Sequence, residues 1–248
     1  MAEFEMRDTP DYSEIIERFG SQVTMDEALE KTAYLQKRYP ELTAIGSILA
    51  SDQIYGAKQL RDTSQGLDFA APKQTITDMA ENFPERWQYD CSYVFSTNEE
   101  FSEDWMIAVI PCNEPIFPDE NINGFSIDYH DIETSDEVET EHGEISALSP
   151  EIGLASKLRR YAMQKRNRDN FKESDLVDVA NIILSQRQGN LDLNKDHLNN
   201  YIDSYIGSIP NENQLMDDII NSVHSSQANE ELSIDEIEGI LRGTKQTF

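Results

Sequence analysis

The stretch from Thr43 to Pro72, TAIGSILASDQIYGAKQLRDTSQGLDFAAP, decides how the chain is read. A short apolar run, Ala44-Ile45, marks the end of a strand, and Gly46-Ser47 makes a tight turn after it. A helix or irregular segment comes next, then Arg61-Asp62-Thr63-Ser64. A second strand succeeds it, Leu67-Asp68-Phe69-Ala70-Ala71, stopped by Pro72. A small turn after one strand and a carboxylate within the next is a common way to hold a nucleotide. The turn leaves backbone N–H groups for phosphate. The strand fixes a carboxylate for a magnesium ion carried on that phosphate.

Toward the N-terminus, Thr9-Pro10 reads as N-cap and first residue of a helix that runs to about Phe19 and stops at Gly20. Thr24-Met25-Asp26-Glu27 is a capping box. The helix it opens carries Met25, Ala28, Leu29, Thr32 and Leu35 on one face and ends before Pro40. Both helices are predicted to pack on the sheet that begins at Thr43. Beyond Pro72 the chain reads as strands with polar loops: Trp87 to Phe95, Trp105 to Ile110, and Ile122 to Ile127. The segment DYHDIETSDEVETEHGE is rich in acids and holds His130 and His142. No ligand spacing recurs in it, so a solvated acidic loop is expected there rather than a metal site.

From Ser149-Pro150-Glu151 onward the pattern is helical. The first of these helices has an apolar face of Leu154, Ala155, Leu158, Tyr161 and Ala162. Lys157, Arg159, Arg160, Lys165, Arg166 and Arg168 fall on its remaining faces. Two readings of these bases stand side by side: a phosphate-binding edge beside Gly46-Ser47 with Lys157 nearest, or internal compensation of surrounding acids. Ser174 caps the next helix, on which Asp175 and Asp178 share a side. Opposite them lie Leu176, Val179, Ala180 and Ile183. An acid in a first turn stabilises a helix by itself, so Asp175 has an ordinary explanation beside a functional one. Leu198, Tyr201, Ile202, Tyr205 and Ile206 form another stripe. Asn211 with Gln214 caps a helix containing Leu215, Ile219, Ile220 and Val223, and Ser233 with Glu236 caps a last one. The expected organisation is an α/β core over residues 1–148 and a helical C-terminal region over 149–248.

Bulk composition adds one strong signal. There are 48 acids against 20 bases, a formal net charge of −28, and the acids are spread along the chain. A surplus of this size repels itself at ordinary salt and is tolerated when concentrated salt screens it. The expectation is a halophilic archaeon, or one of its viruses, as source. The same charge argues against a broad nucleic-acid-binding face. No apolar run approaches a membrane span, and the N-terminus MAEFEMRDTPDYSE is acidic where a signal peptide is basic and then apolar. A soluble protein is expected, cytoplasmic or in a virion, in a high-salt environment and without a membrane partner. Cys91 and Cys112 lack metal-ligand spacing and read as buried thiols.

The order of these elements resembles the nucleotidyltransferase superfamily, and within it the AbiEii-type toxins of type IV toxin–antitoxin systems. The matching residues are the turn Gly46-Ser47, the Arg-x-Thr at Arg61 and Thr63, the strand acid Asp68, the helix Lys157, and the Asp-x-x-Asp at Asp175 and Asp178. The resemblance implies a mixed sheet flanked by helices and followed by a helical C-terminal part. It also implies a magnesium-dependent transfer of NMP from an NTP to an acceptor hydroxyl. Gly46, Ser47, Arg61, Thr63 and Asp178 would bind the nucleotide, Asp68 the metal, and Asp68, Lys157 and Asp175 would carry catalysis. The chain departs from the pattern at two places. The first acid of Asp-x-Asp falls on Gly66, or on Gln65 if the turn carries an extra residue. The strand Trp105 to Ile110, where a third metal-binding acid belongs, has none in its interior, and Asp104 stands only at its edge. Asp52 and Asp62 are close enough in sequence to replace missing ligands. The expected function is therefore a nucleotidyltransferase-fold protein with a degenerate metal site, a non-catalytic component with a protein partner or assembly. The alternative is an active AbiEii-like transferase that binds an NTP with Mg2+.

The charge makes the first prediction: the melting temperature rises steadily from low salt to molar KCl, measured by circular dichroism. Equal stability at both ends would sink the high-salt reading.

Overall fold

The Thr24 hydroxyl accepts a hydrogen bond from the Glu27 N–H at 3.2 Å, and the Glu27 carboxylate accepts one from the Thr24 N–H at 3.0 Å. The capping box thus closes as the residue pattern predicts and opens α1 (Met25–Arg38). The computed structural model describes residues 23–56, 60, 63–64, 66–82, 87–90, 93–96, 107–112, 127, 129–167, 173–202 and 212–226. In chain order, β1 (Val23–Thr24) precedes α1, and β2 (Thr43–Ile45) leads into a 3-10 helix (Gly46–Ala50). Then come β3 (Thr63–Ser64), β4 (Leu67–Ala71), α2 (Lys73–Asn82), β5 (Trp87–Asp90), β6 (Tyr93–Ser96) and β7 (Ile107–Pro111). After these come α3 (Tyr129–Glu133), β8 (Asp136–Thr140), β9 (Gly143–Ala147), α4 (Pro150–Asn167), α5 (Glu173–Arg187), α6 (Lys195–Tyr201) and α7 (Glu212–Ser226).

Among the described residues seven strands make one mixed sheet in the order β5-β6-β7-β4-β2-β9-β8, and β1 pairs with β3 in a separate ribbon. β2 runs antiparallel to β4 and parallel to β9, while β4 runs parallel to β7. Strand side chains alternate between the two faces of the sheet. Ala44, Leu67, Phe69, Ala71, Ile107, Val109 and Ile145 share a core with α1 and α2. Ile45, Ala70, Ile110 and Ala147 share a second core with Leu49, Tyr55 and Ile152 on the other face. The C-terminal helices α4 to α7 enclose a third apolar cluster, to which Leu60 also belongs. The chain is thus α/β, a mixed sheet flanked by helices and followed by a helical region.

Several expectations change. The segment after Pro72 is a helix, α2, not β; Pro72 ends β4, and Ile76 and Met79, one turn apart, bury on the sheet. Trp87 to Phe95 is not a single strand but a hairpin, β5 with β6. The segment expected as an acidic loop holds α3, β8 and the start of β9. Its acids at 137 and 139 are exposed while Thr140, at the end of β8, is buried. β9 lies inside the sheet and pairs with both β2 and β8, although its sequence does not single it out as a strand. Buried Gln36 of α1 completes it. Its side-chain amide donates to the Ser146 carbonyl at 2.6 Å and accepts from the Ser146 N–H at 2.9 Å, which satisfies backbone groups that β2 is too short to reach. The expected helix 10–19, the expected strand over 122–126, Cys91 and the last helix lie outside the described residues. Cys112 is buried. Among the described residues no helix is long and apolar enough to cross a membrane.

Hydrogen bonds from the Thr24 hydroxyl and N–H hold the Glu27 carboxyl below its ordinary value. A lowered folded value means this contribution is present above the unfolded carboxyl range and is lost as pH falls through the folded value. Thr24→Ala is expected to destabilise the protein by about 1 kcal/mol at neutral pH. In urea titrations the gap to wild type narrows as acid protonates Glu27.

Candidate functional site

Gly46 comes directly after β2 and has φ +76°, a left-handed conformation open to glycine. It is also crowded: a Cβ built there would lie 2.5 Å from Asp68 Oδ2. Antiparallel pairing explains the contact, because Ile45 is the register partner of Asp68. The turn and the acid that the sequence singles out are therefore packed against each other. Asp68 is half-buried on β4, on the face where Ala70 contributes to the core with Leu49 and Ile152.

Ser47 is also half-buried, and its hydroxyl lies 2.8 Å from that of Ser64. Ser64 is fully buried and donates its own proton to the Gly66 carbonyl at 2.7 Å. Thr63 sits beside it in β3, opposite Thr24. The turn opens a short 3-10 helix rather than an α-helix.

The position next to Asp68 on the parallel neighbour strand is Ala108. Alanine offers no oxygen to a metal ion beside Asp68. Gly66, just before β4 and two residues from Asp68, offers no side-chain oxygen either. Asp52, a candidate replacement by its place in the sequence, is exposed in the turn after the 3-10 helix. Among the described residues no group of three or more His, Cys, Asp or Glu is arranged to hold a metal ion. His142 instead bonds Asp26 at 2.8 Å. Arg61, Asp62 and Asp104 lie outside the described residues.

Lys157, Asp175 and Asp178 do come together, away from solvent. Lys157 Nζ donates to Asp178 Oδ2 at 2.6 Å and stands 3.7 Å from Asp175 Oδ1. The side chains of Lys157 and Asp175 are each 7% exposed and that of Asp178 is 0% exposed. Arg160 donates to the far oxygen of Asp175 at 2.9 Å. Further along α4, Lys165 pairs with Asp218 of α7 at 2.7 Å, and the Tyr161 hydroxyl donates to the same carboxylate at 2.6 Å. Burial, and then the Asp218 carboxylate, push the Tyr161 phenol up from its ordinary value. Helical periodicity puts the bases of α4 on its outer faces. Lys157 and Arg159 are instead buried, and for Lys157 the Asp175 and Asp178 carboxylates of α5 offset the desolvation. The same periodicity sets Asp175 and Asp178 opposite the core face, yet α5 is enclosed on both sides and both acids are buried.

This cluster is fastened to the turn. Asn181, three residues beyond Asp178, donates its amide N–H to the Ala50 carbonyl at the end of the 3-10 helix. Gly56 makes room for that bond: a Cβ there would run into the Ala50 carbonyl and the Asn181 amide. Sequence reasoning misses both Ser64 and Asn181. The i, i+3 spacing from Asp178 is a signal for Asn181, whereas Ser64 carries none beyond adjacency to Thr63.

No family model matches the sequence, and neither does any curated protein. Among solved structures the chain is similar to the crystal structure of an antigenic nucleotidyltransferase-like protein from Paracoccidioides brasiliensis. The identity is 12%, over 86% of this chain and 98% of that one, with a TM-score of 0.43.

Lys157→Ala removes the ammonium from the fully buried Asp178 carboxylate, and a loss of about 3–5 kcal/mol is expected in urea unfolding. The double replacement Lys157→Met with Asp178→Leu recovers most of it, since a buried pair is replaced by apolar volume. A double variant no more stable than the single one would show that the pair itself holds the helices.

Proposed function

We propose that the protein is a nucleotidyltransferase-like scaffold with an incomplete metal site, serving as a non-catalytic binding or structural component of a halophilic archaeal or viral system. The observation that carries this reading is the register of β4 with β7, which sets Ala108 beside Asp68. One strand carboxylate next to an alanine is a poor cage for a magnesium ion, which demands near-octahedral oxygen ligands. The buried pairing of Lys157 adds support. A lysine whose charge is balanced by a buried carboxylate adds little net positive potential for a phosphate. In this reading Asp175 and Asp178 orient Lys157 and hold α4 against α5, and the working partner is a protein.

A second reading is favoured by the packing of Gly46, Ser47 and Asp68 into one place. In it the protein is an active AbiEii-like transferase. Gly46, Ser47, Arg61 and Thr63 take the triphosphate and Asp68 takes a magnesium ion, which supplies charge neutralisation at the reacting phosphate. Lys157 would then be freed from Asp178 when nucleotide enters.

Calorimetric titration of ATP, GTP, CTP and UTP with magnesium, in molar KCl, separates the two. The non-catalytic reading expects no magnesium-dependent heat that Asp68→Ala abolishes. Saturable binding of any nucleotide, lost in Asp68→Ala while the fold is kept, would overturn it in favour of the transferase.

A further inference from the structure

A serine hydroxyl has one proton, so a chain of serines has a direction. Ser64 gives its proton to the Gly66 carbonyl, which can only accept. The Gly66 N–H approaches the Ser64 oxygen at 3.4 Å, so that oxygen is already acting as an acceptor. The 2.8 Å contact between Ser47 and Ser64 must then be donated by Ser47. Ser64 is fully buried and has no solvent to turn toward.

We propose that Ser64 is a positioning residue that commits the Ser47 proton inward, so that the Ser47 side chain meets an incoming phosphate with lone pairs while only the backbone N–H groups of the turn remain as donors. The inference rests on the second reading above, in which this turn takes a triphosphate. Phosphate oxygens are acceptors and are held by donors. For Ser47 to serve one, its bond to Ser64 has to break, and the Ser64 oxygen loses an interior partner. The resting turn is therefore set against triphosphate by one hydrogen bond. Ser64 works through Ser47 and need not touch the ligand.

The test is isothermal titration with inorganic tripolyphosphate at millimolar concentration in molar KCl. The proteins are wild type, Ser64→Ala, Ser47→Ala and the double variant, with folding checked by circular dichroism. Ser64→Ala frees the Ser47 proton and is expected to bind about 2- to 10-fold more tightly than wild type, the equivalent of one neutral hydrogen bond. Adding Ser47→Ala removes the gain. A merely structural loss does not tighten binding, nor is its effect reversed at Ser47. If Ser64→Ala does not fold, Ser64→Cys keeps the volume with a weaker acceptor and shifts affinity in the same direction by less. Binding in both proteins with unchanged or weaker affinity in the variant overturns the role of Ser64 and leaves the phosphate reading intact. Binding in neither overturns both.

Discussion

The Ala50 carbonyl, at the end of a 3-10 helix and inside the protein, has to find a donor, because a buried acceptor without one costs as much as a lost hydrogen bond. Its donor is Asn181, on a helix 131 residues further along the chain. Much of the arrangement depends on that bond. It fixes which turn of α5 faces the 3-10 helix and so places Asp178, one turn earlier, where Lys157 of α4 can reach it. Ile152, near the start of α4, enters the same core as Leu49 of the 3-10 helix. The helical region is thereby held to the segment that leaves β2, not merely connected to the sheet by sequence.

The charge distribution has a related logic. The chain carries 28 negative charges in excess, yet three bases of α4 are matched to acids of neighbouring helices. Lys157, Arg160 and Lys165 answer Asp175, Asp178 and Asp218 at close range. Pairs withdrawn from water are screened little by salt, whereas exposed acids are screened strongly. Salt therefore acts most on the outside of the molecule and least on the buried Lys157–Asp178 pair. Each of these bases has an acid beside it, the arrangement that the compensation reading of the sequence describes.

The features legible in the sequence are those that depend on near neighbours. The capping box at Thr24, the strand Leu67–Ala71 with its stop at Pro72, and the apolar stripes of α4, α5 and α7 arise from local periodicity and local hydrogen bonding, and the structure has them. The meeting of Lys157, Asp175 and Asp178 is foreshadowed by the resemblance and by their helical spacing. The losses have one cause. β9 holds an interior place through pairing with β2, far away in sequence, and through Gln36, and nothing in GEISA announces that. The same holds for Ala108, whose importance lies in its register with Asp68, and for Ser64, whose role depends on which proton goes where. α2 escapes notice because Pro72 reads as an end when it is also a beginning.

Among the described residues the sheet ends at β8, whose sequence is DEVET. Its Asp136, Glu137 and Glu139 are exposed, and charges on a terminal strand discourage other chains from adding to it. That protection acts through Coulomb repulsion between strands about 4.8 Å apart, while in molar salt the screening length falls to about 3 Å. A brine that relieves the molecule's self-repulsion therefore also silences the guard on its open border. In such a medium the tendency of copies to stack along this strand becomes a property of the solvent as much as of the fold.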